Sequence, residues 1–268
     1  MTTTTDQRLA EVLADLTAEG DRLDGIVAPL GEPAWQMPTP AARWDVAHQI
    51  AHLAWTDEVA VAAATDPQAW AAVVTRALED PDGYVDAEAA AGAAAAPGDL
   101  LDRWRIARHA LAQALAEHPA GEKIAWFGPP MSATSMATAR LMETWAHGRD
   151  VAAALGVELG PDDRCRHVVH LGVRTRDFAF ATHGLEPPAE EFRVELTLPS
   201  GAVARYGAED AAQTVRGPAY DFALLVTQRA HRDDLDLTAT GPDADRWLDV
   251  AQAFAGPPGS GRPAKEVP

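Results

Sequence analysis

Through the first 155 or so residues, apolar positions recur at the three- and four-residue steps of a helix. Leu9, Val12, Leu13, Leu16, Leu23, Ile26 and Val27 predict a helix over 6–29, and Gly31, Pro33, Pro38 and Pro40 then break the chain. A second helix is predicted from about Trp44 to Ala63, with Asp45 near its start. Asp66-Pro67 opens a shorter one through Trp70, Val73, Val74 and Leu78, and Pro81-Asp82-Gly83 reads as a turn. An alanine-rich helix follows from about Gly98 to Glu117. The loop Trp126 to Pro130 then leads into a helix from Ser132 to Leu155, ended by Gly156. Four long helices with short connections predict an antiparallel bundle.

The period then changes. A helix is expected from Asp162 to His183, and strand-like alternation over Phe192–Leu198 turns through Pro199-Ser200-Gly201 into Val203–Tyr206. Gln213–Arg216 and Leu235–Thr240 are further strand candidates, and helices are expected over Pro218–His231 and Asp243–Phe254. The fold class predicted is α+β: a helical bundle over 1–158, a small α+β domain over 159–256, and a disordered Pro/Gly-rich tail over 257–268.

Composition narrows the function. At 47% hydrophobic the 268-residue chain can bury a real core, and no apolar run is long enough to span a membrane. The polar start, Met1 to Asp6, is not expected to be a secretory signal. The single cysteine, Cys165, cannot form an internal disulfide, which fits a reducing cytoplasm. A net charge of −18 without a basic run repels a phosphate backbone, so no nucleic-acid partner is expected. The scarcity of lysine beside abundant Ala, Arg, Asp, Gly and Pro matches a GC-rich, actinobacterial genome.

Two stretches carry the candidate chemistry. In Met142-Glu143-Thr144-Trp145-Ala146-His147, Glu143 and His147 share one helix face a turn apart and can chelate one ion. Alone, such a pair is more often a surface pair than a metal site. In Trp44 to Trp55, the apolar neighbours of His52 turn it inward, where its nitrogens need a hydrogen bond or a metal. Facing helices of a bundle are where such sites are built, and three nitrogen or oxygen ligands with an open position are a catalytic zinc pattern. His48, four residues before His52, reads either as a residue that orients a ligand or as a solvent-facing one. The Trp126–Pro130 loop reads as a pocket wall or as plain packing. His167, His170, Arg174, Arg176 and Asp177 read as a solvated face, and Cys165 lacks the setting of a nucleophile.

Trp44 through Ala51-His52-Leu53 resembles the second-helix signature of the DinB and mycothiol-dependent maleylpyruvate isomerase superfamily, and Glu143 to Asp150 resembles its fourth-helix signature. Through the closing Trp247–Phe254 the chain is similar to an actinobacterial metal-binding branch of it. The resemblance implies a DinB-like four-helix bundle with His52, Glu143 and His147 as ligands of a divalent metal, with zinc favoured. It also implies a second domain whose arginine follows an aliphatic helix. Asp221 to Gln228-Arg229 is similar to that pattern, which makes Arg229 the candidate catalytic carboxylate clamp, although Gln228 stands where the family has glycine.

What the resemblance implies in function is a cytoplasmic thiol-using enzyme, a mycothiol-type transferase or isomerase. Its partners would be a small electrophilic molecule and a low-molecular-weight thiol, and it would act as a monomer or homodimer. A metal-dependent hydrolase and a non-catalytic metal- or ligand-binding protein are the alternatives that the residues leave open.

Overall fold

The structure is a computed structural model that describes residues 5–256, 259 and 261–265. It divides into two compact units, one through Leu159 and one from Gly160 onward.

The first unit is helical. Its elements are α1 (Thr5–Val27), α2 (Glu32–Trp35), α3 (Val46–Thr65), α4 (Pro67–Glu79), α5 (Tyr84–Ala93), α6 (Pro97–Glu117) and α7 (Ala133–Leu155). Local chemistry sets several ends. The Asp45 carboxylate accepts the His48 N–H at the start of α3, and Asp66 caps α4 through the N–H groups of Gln68 and Ala69. Ser132 caps α7 through Ser135, and Gly156, in the left-handed region at φ 67°, closes it. The core between α1, α3, α6 and α7 is filled by Leu23, Val27, Ile50, Leu53, Leu100, Trp104 and Val151.

Helix direction departs from the antiparallel expectation. α1 and α6 do run antiparallel, since Asp24 pairs with Arg105 and Asp21 with Arg108. α3 and α6, however, run the same way: Leu100 and Leu101 share a core with Ile50, and Arg103 further along reaches Glu58 further along. The cause is α5, for which the sequence offers no periodic signal because large apolar residues are few in Tyr84–Ala93. It returns the chain along α3, with Tyr84 edge-on to Trp55 and Gly92 so close to Ala51 that a Cβ there would lie 2.8 Å from the Ala51 Cβ. The chain therefore begins α6 beside the start of α3.

The second unit holds α8 (Cys165–Arg174), α9 (Arg176–Thr182), β1 (Arg193–Thr197), β2 (Val203–Tyr206), β3 (Thr214–Pro218), α10 (Ala219–Val226), β4 (Thr238–Thr240) and α11 (Pro242–Val250). The sheet order is β2-β1-β3-β4, with β1 and β3 parallel and the outer pairs antiparallel. The helix expected over Asp162–His183 is two helices, broken at Thr175, whose hydroxyl donates to Gln252 O at 2.7 Å. Trp247 packs between Phe192 and Phe222 and forms the centre of this unit. His167 is buried and Arg176 holds the carbonyls of Pro188 and Glu190, so the expected solvated face shrinks to His170, Arg174 and Asp177. Of the predicted tail, 257–258, 260 and 266–268 lie outside the described residues, while the Lys265 N–H donates to the Asp234 carboxylate. No helix among the described residues is long and apolar enough to cross a membrane.

Candidate metal centre

α3 and α7 lie antiparallel, and their facing surfaces bring His52, Glu143 and His147 together. The Nε2 atoms of both imidazoles converge on one oxygen, Glu143 Oε2, at 3.4 Å for His52 and 3.0 Å for His147. The two rings are 4.6 Å apart centre to centre, and the three candidate ligand atoms lie within 4.8 Å of one another. Bonds of about 2.0–2.1 Å in a tetrahedral arrangement require ligand separations of roughly 3.4 Å, so the donors fit a single ion.

The protonation pattern of His147 follows from its neighbours. The Thr39 hydroxyl donates its only hydrogen to Trp44 O, so toward Gln49 it can only accept. Gln49 Nε2 donates to it at 2.9 Å, which turns Gln49 Oε1 to His147 Nδ1. That nitrogen must therefore carry a hydrogen, which leaves Nε2, on the Glu143 side, as the nitrogen that could bind an ion. Burial pushes the His52 pKa down to about 4, against the pull of Glu143, so His52 is neutral at pH 7. Burial by itself would raise the Glu143 carboxyl, but hydrogen bonds from His147 and His52, with the charge of Arg140, hold it well below the usual carboxylate range. A neutral imidazole and an ionised carboxylate are the forms in which histidine and glutamate bind a metal, and His52 and Glu143 are held in them.

Aromatic rings enclose the cluster. The Trp44 indole stacks on His147 at 5.9 Å and tilts over His52 at 5.2 Å, anchored by its Nε1 donating to Asp86 at 3.0 Å. Trp55 lies 6.1 Å from His52 on the same helix. His48 does not orient a ligand: its Nδ1 bonds the Asp45 carboxylate and its ring stacks on Trp44. That role falls to Gln49, which sequence reasoning passed over, as it did Thr39, Arg140 and Asp57. The spacing held one hint, since Arg140 precedes Glu143 by one turn on the buried face. The Trp126 loop, pinned by paired hydrogen bonds between Ile124 and Met131, stacks Trp126 on Trp70 and serves as packing for α4. Cys165 is buried, as befits a thiol with no catalytic setting.

Arg229 belongs to the second unit. Two residues past the end of α10, Gln228 has φ 58°, the left-handed conformation that glycine favours. The Gln228 N–H reaches Leu225 O and the Arg229 N–H reaches Leu224 O, the two bonds of a Schellman turn. The glutamine thus adopts the backbone expected of the family's glycine, and Arg229 follows it, with Nη1 donating to Thr227 O.

The family model for the mycothiol maleylpyruvate isomerase N-terminal domain matches residues 16–152. Uncharacterised proteins from two strains of Mycobacterium tuberculosis are 56% identical over 250 residues, covering 93% of this chain and 97% of theirs. Crystal structures of the mycothiol-dependent maleylpyruvate isomerase and of its histidine-to-alanine mutant align with a TM-score of 0.61, over 91% of this chain and 99% of theirs. At 17–18% identity they share the fold.

Proposed function

The chain belongs to the mycothiol maleylpyruvate isomerase N-terminal domain family, and from that premise we propose that it is a divalent-metal enzyme that uses a low-molecular-weight thiol of the mycothiol type. The reaction would be transfer to, or isomerisation of, a small electrophilic molecule. The observation that carries this reading is the convergence of two imidazole nitrogens on one carboxylate oxygen. Zinc is the metal we favour, because two histidines and one glutamate are a known catalytic zinc set that leaves a position open.

In this reading His52, Glu143 and His147 hold the ion, Gln49 fixes the His147 tautomer, and Trp44 with Trp55 limits the access of water. An ion held by these residues would supply a Lewis acid able to lower the pKa of a thiol. Arg229 is carried from the family resemblance as the clamp for an acidic group of thiol or substrate. A reducing cytoplasm is the compartment that suits a small thiol. The acidic surface supports small molecules, and no nucleic acid, as partners.

The experiment is a titration of cobalt-substituted protein with mycothiol and other small thiols. A new sulfur-to-metal absorption band is the expected result. Arg229→Ala should weaken thiol or substrate binding while leaving metal content unchanged. No band with any thiol, together with ester or amide cleavage, would replace this reading by a metal-dependent hydrolase.

A further inference from the structure

Directly behind the candidate ligands, on the same two helices, lies a buried ion pair. The side chains of Arg140 and Asp57 are each 3% exposed, and Arg140 Nε donates to Asp57 Oδ1 at 2.9 Å. Arg140 Nη2 also donates to Thr56 Oγ1, and that hydroxyl donates in turn to His52 O at 2.7 Å. One guanidinium on α7 thus grips the turn of α3 that follows His52, one turn away from Glu143. Such a pair is weak evidence of stabilisation, since removing two charges from water offsets their attraction and apolar replacements are often as stable. A grip on helix register is the better account of it, because His52 and Glu143 must meet within tenths of an ångström to share an ion.

The carboxylate end has a second property. Asp57 lines a cavity of about 410 Å³ between α1 and α6, together with Thr144 and Trp104. The Trp104 indole N–H is buried there without a hydrogen-bond partner in the structure. The cavity has room for a small carboxylic acid beside Asp57.

We propose that the Arg140–Asp57 pair is a positioning device for the metal centre: Arg140 sets the register of α7 on α3, and Asp57 cancels its charge so that a dication is tolerated next to it. This rests on the metal reading above. Without Asp57 the guanidinium, one helical turn from Glu143, would compete with the histidines for that carboxylate and add an uncompensated positive charge beside the cation.

The test is cobalt and zinc affinity of Asp57→Ala in the full chain, with thermal stability and cobalt absorption measured alongside. Outer-shell changes typically cost about 10–100-fold in metal affinity, and a loss of that size is expected. Acetate or formate, entering through the cavity, should restore most of the affinity and the wild-type cobalt spectrum, whereas neutral acetamide of the same shape should not. If Asp57→Ala fails to fold, Asp57→Asn and the apolar pair Asp57→Leu with Arg140→Met take its place, and both should still bind cobalt more weakly. A folded variant that binds cobalt as tightly as wild type, or rescue by acetamide equal to that by acetate, overturns the proposal. Wild-type protein that binds neither metal overturns it together with the metal reading, so the two failures are distinguishable.

Discussion

The two units place their candidate chemistry on different supports. In the first unit the ligand set lies on two facing helices that are rich in buried polar side chains. Of the fourteen described polar or charged residues that are buried, nine lie on α3 and α7. In the second unit Arg229 depends on one turn of backbone at the end of α10. Burying polar groups costs free energy unless each is paired, so a dense polar seam marks where the fold spends stability on geometry. A single turn can be met by more than one residue type, as Gln228 shows. The first arrangement should fail when any partner is removed, and the second should tolerate change.

The largest effect expected is from Glu143→Ala, which removes the oxygen on which both imidazoles converge. Bound metal should fall from about one ion per chain to almost none by elemental analysis, while far-ultraviolet circular dichroism keeps most of the helix signal. Next comes pH. His52 is held at about 4 in the folded chain against an ordinary 6.5, so between these values the unfolded chain binds the proton first. Stability of the metal-free protein is therefore fully present above pH 6.5 and declines as pH falls toward 4. The slope from this one group is at most about 1.4 kcal/mol per pH unit. Glu143, held below its ordinary 4.5, extends the loss to lower pH. The midpoint of denaturant melts should fall as pH is lowered through this range in metal-free wild type, and fall less in His52→Leu.

Gln49→Leu is intermediate. It removes the acceptor that holds His147 Nδ1–H and should weaken metal binding by about 10–100-fold without preventing folding, measured by competition with a chelator. The smallest effect is Gln228→Gly. Relief of a left-handed non-glycine residue should raise stability by about 1 kcal/mol and leave metal affinity unchanged, as read from thermal melts. A large loss of stability there would mean that the Gln228 side chain, rather than the turn, supports Arg229.

Much was legible before any coordinates. Helical spacing alone puts Glu143 and His147 on one face, because a four-residue step is nearly one turn. The apolar neighbours of His52 turn it inward for the same reason, and the alternation over Phe192–Leu198 marks β1. Each of these is a property of local periodicity. The sense of the bundle was not legible, because α5 is built from small residues whose packing against Ala51 has no periodic signature. The break at Thr175 was invisible for a related reason: its bond runs to Gln252, far along the chain.

The amino-acid sequence by itself determined which residues could serve as ligands and which helices carry them, since residue chemistry and helical register are local properties. Only the tertiary structure decided that His52 meets Glu143, that Gln49 rather than His48 orients a histidine, and that Arg140 and Asp57 stand behind the site. Those are contacts between residues as many as 98 positions apart. Their geometry follows from how two helices pack, which no pattern within either helix encodes.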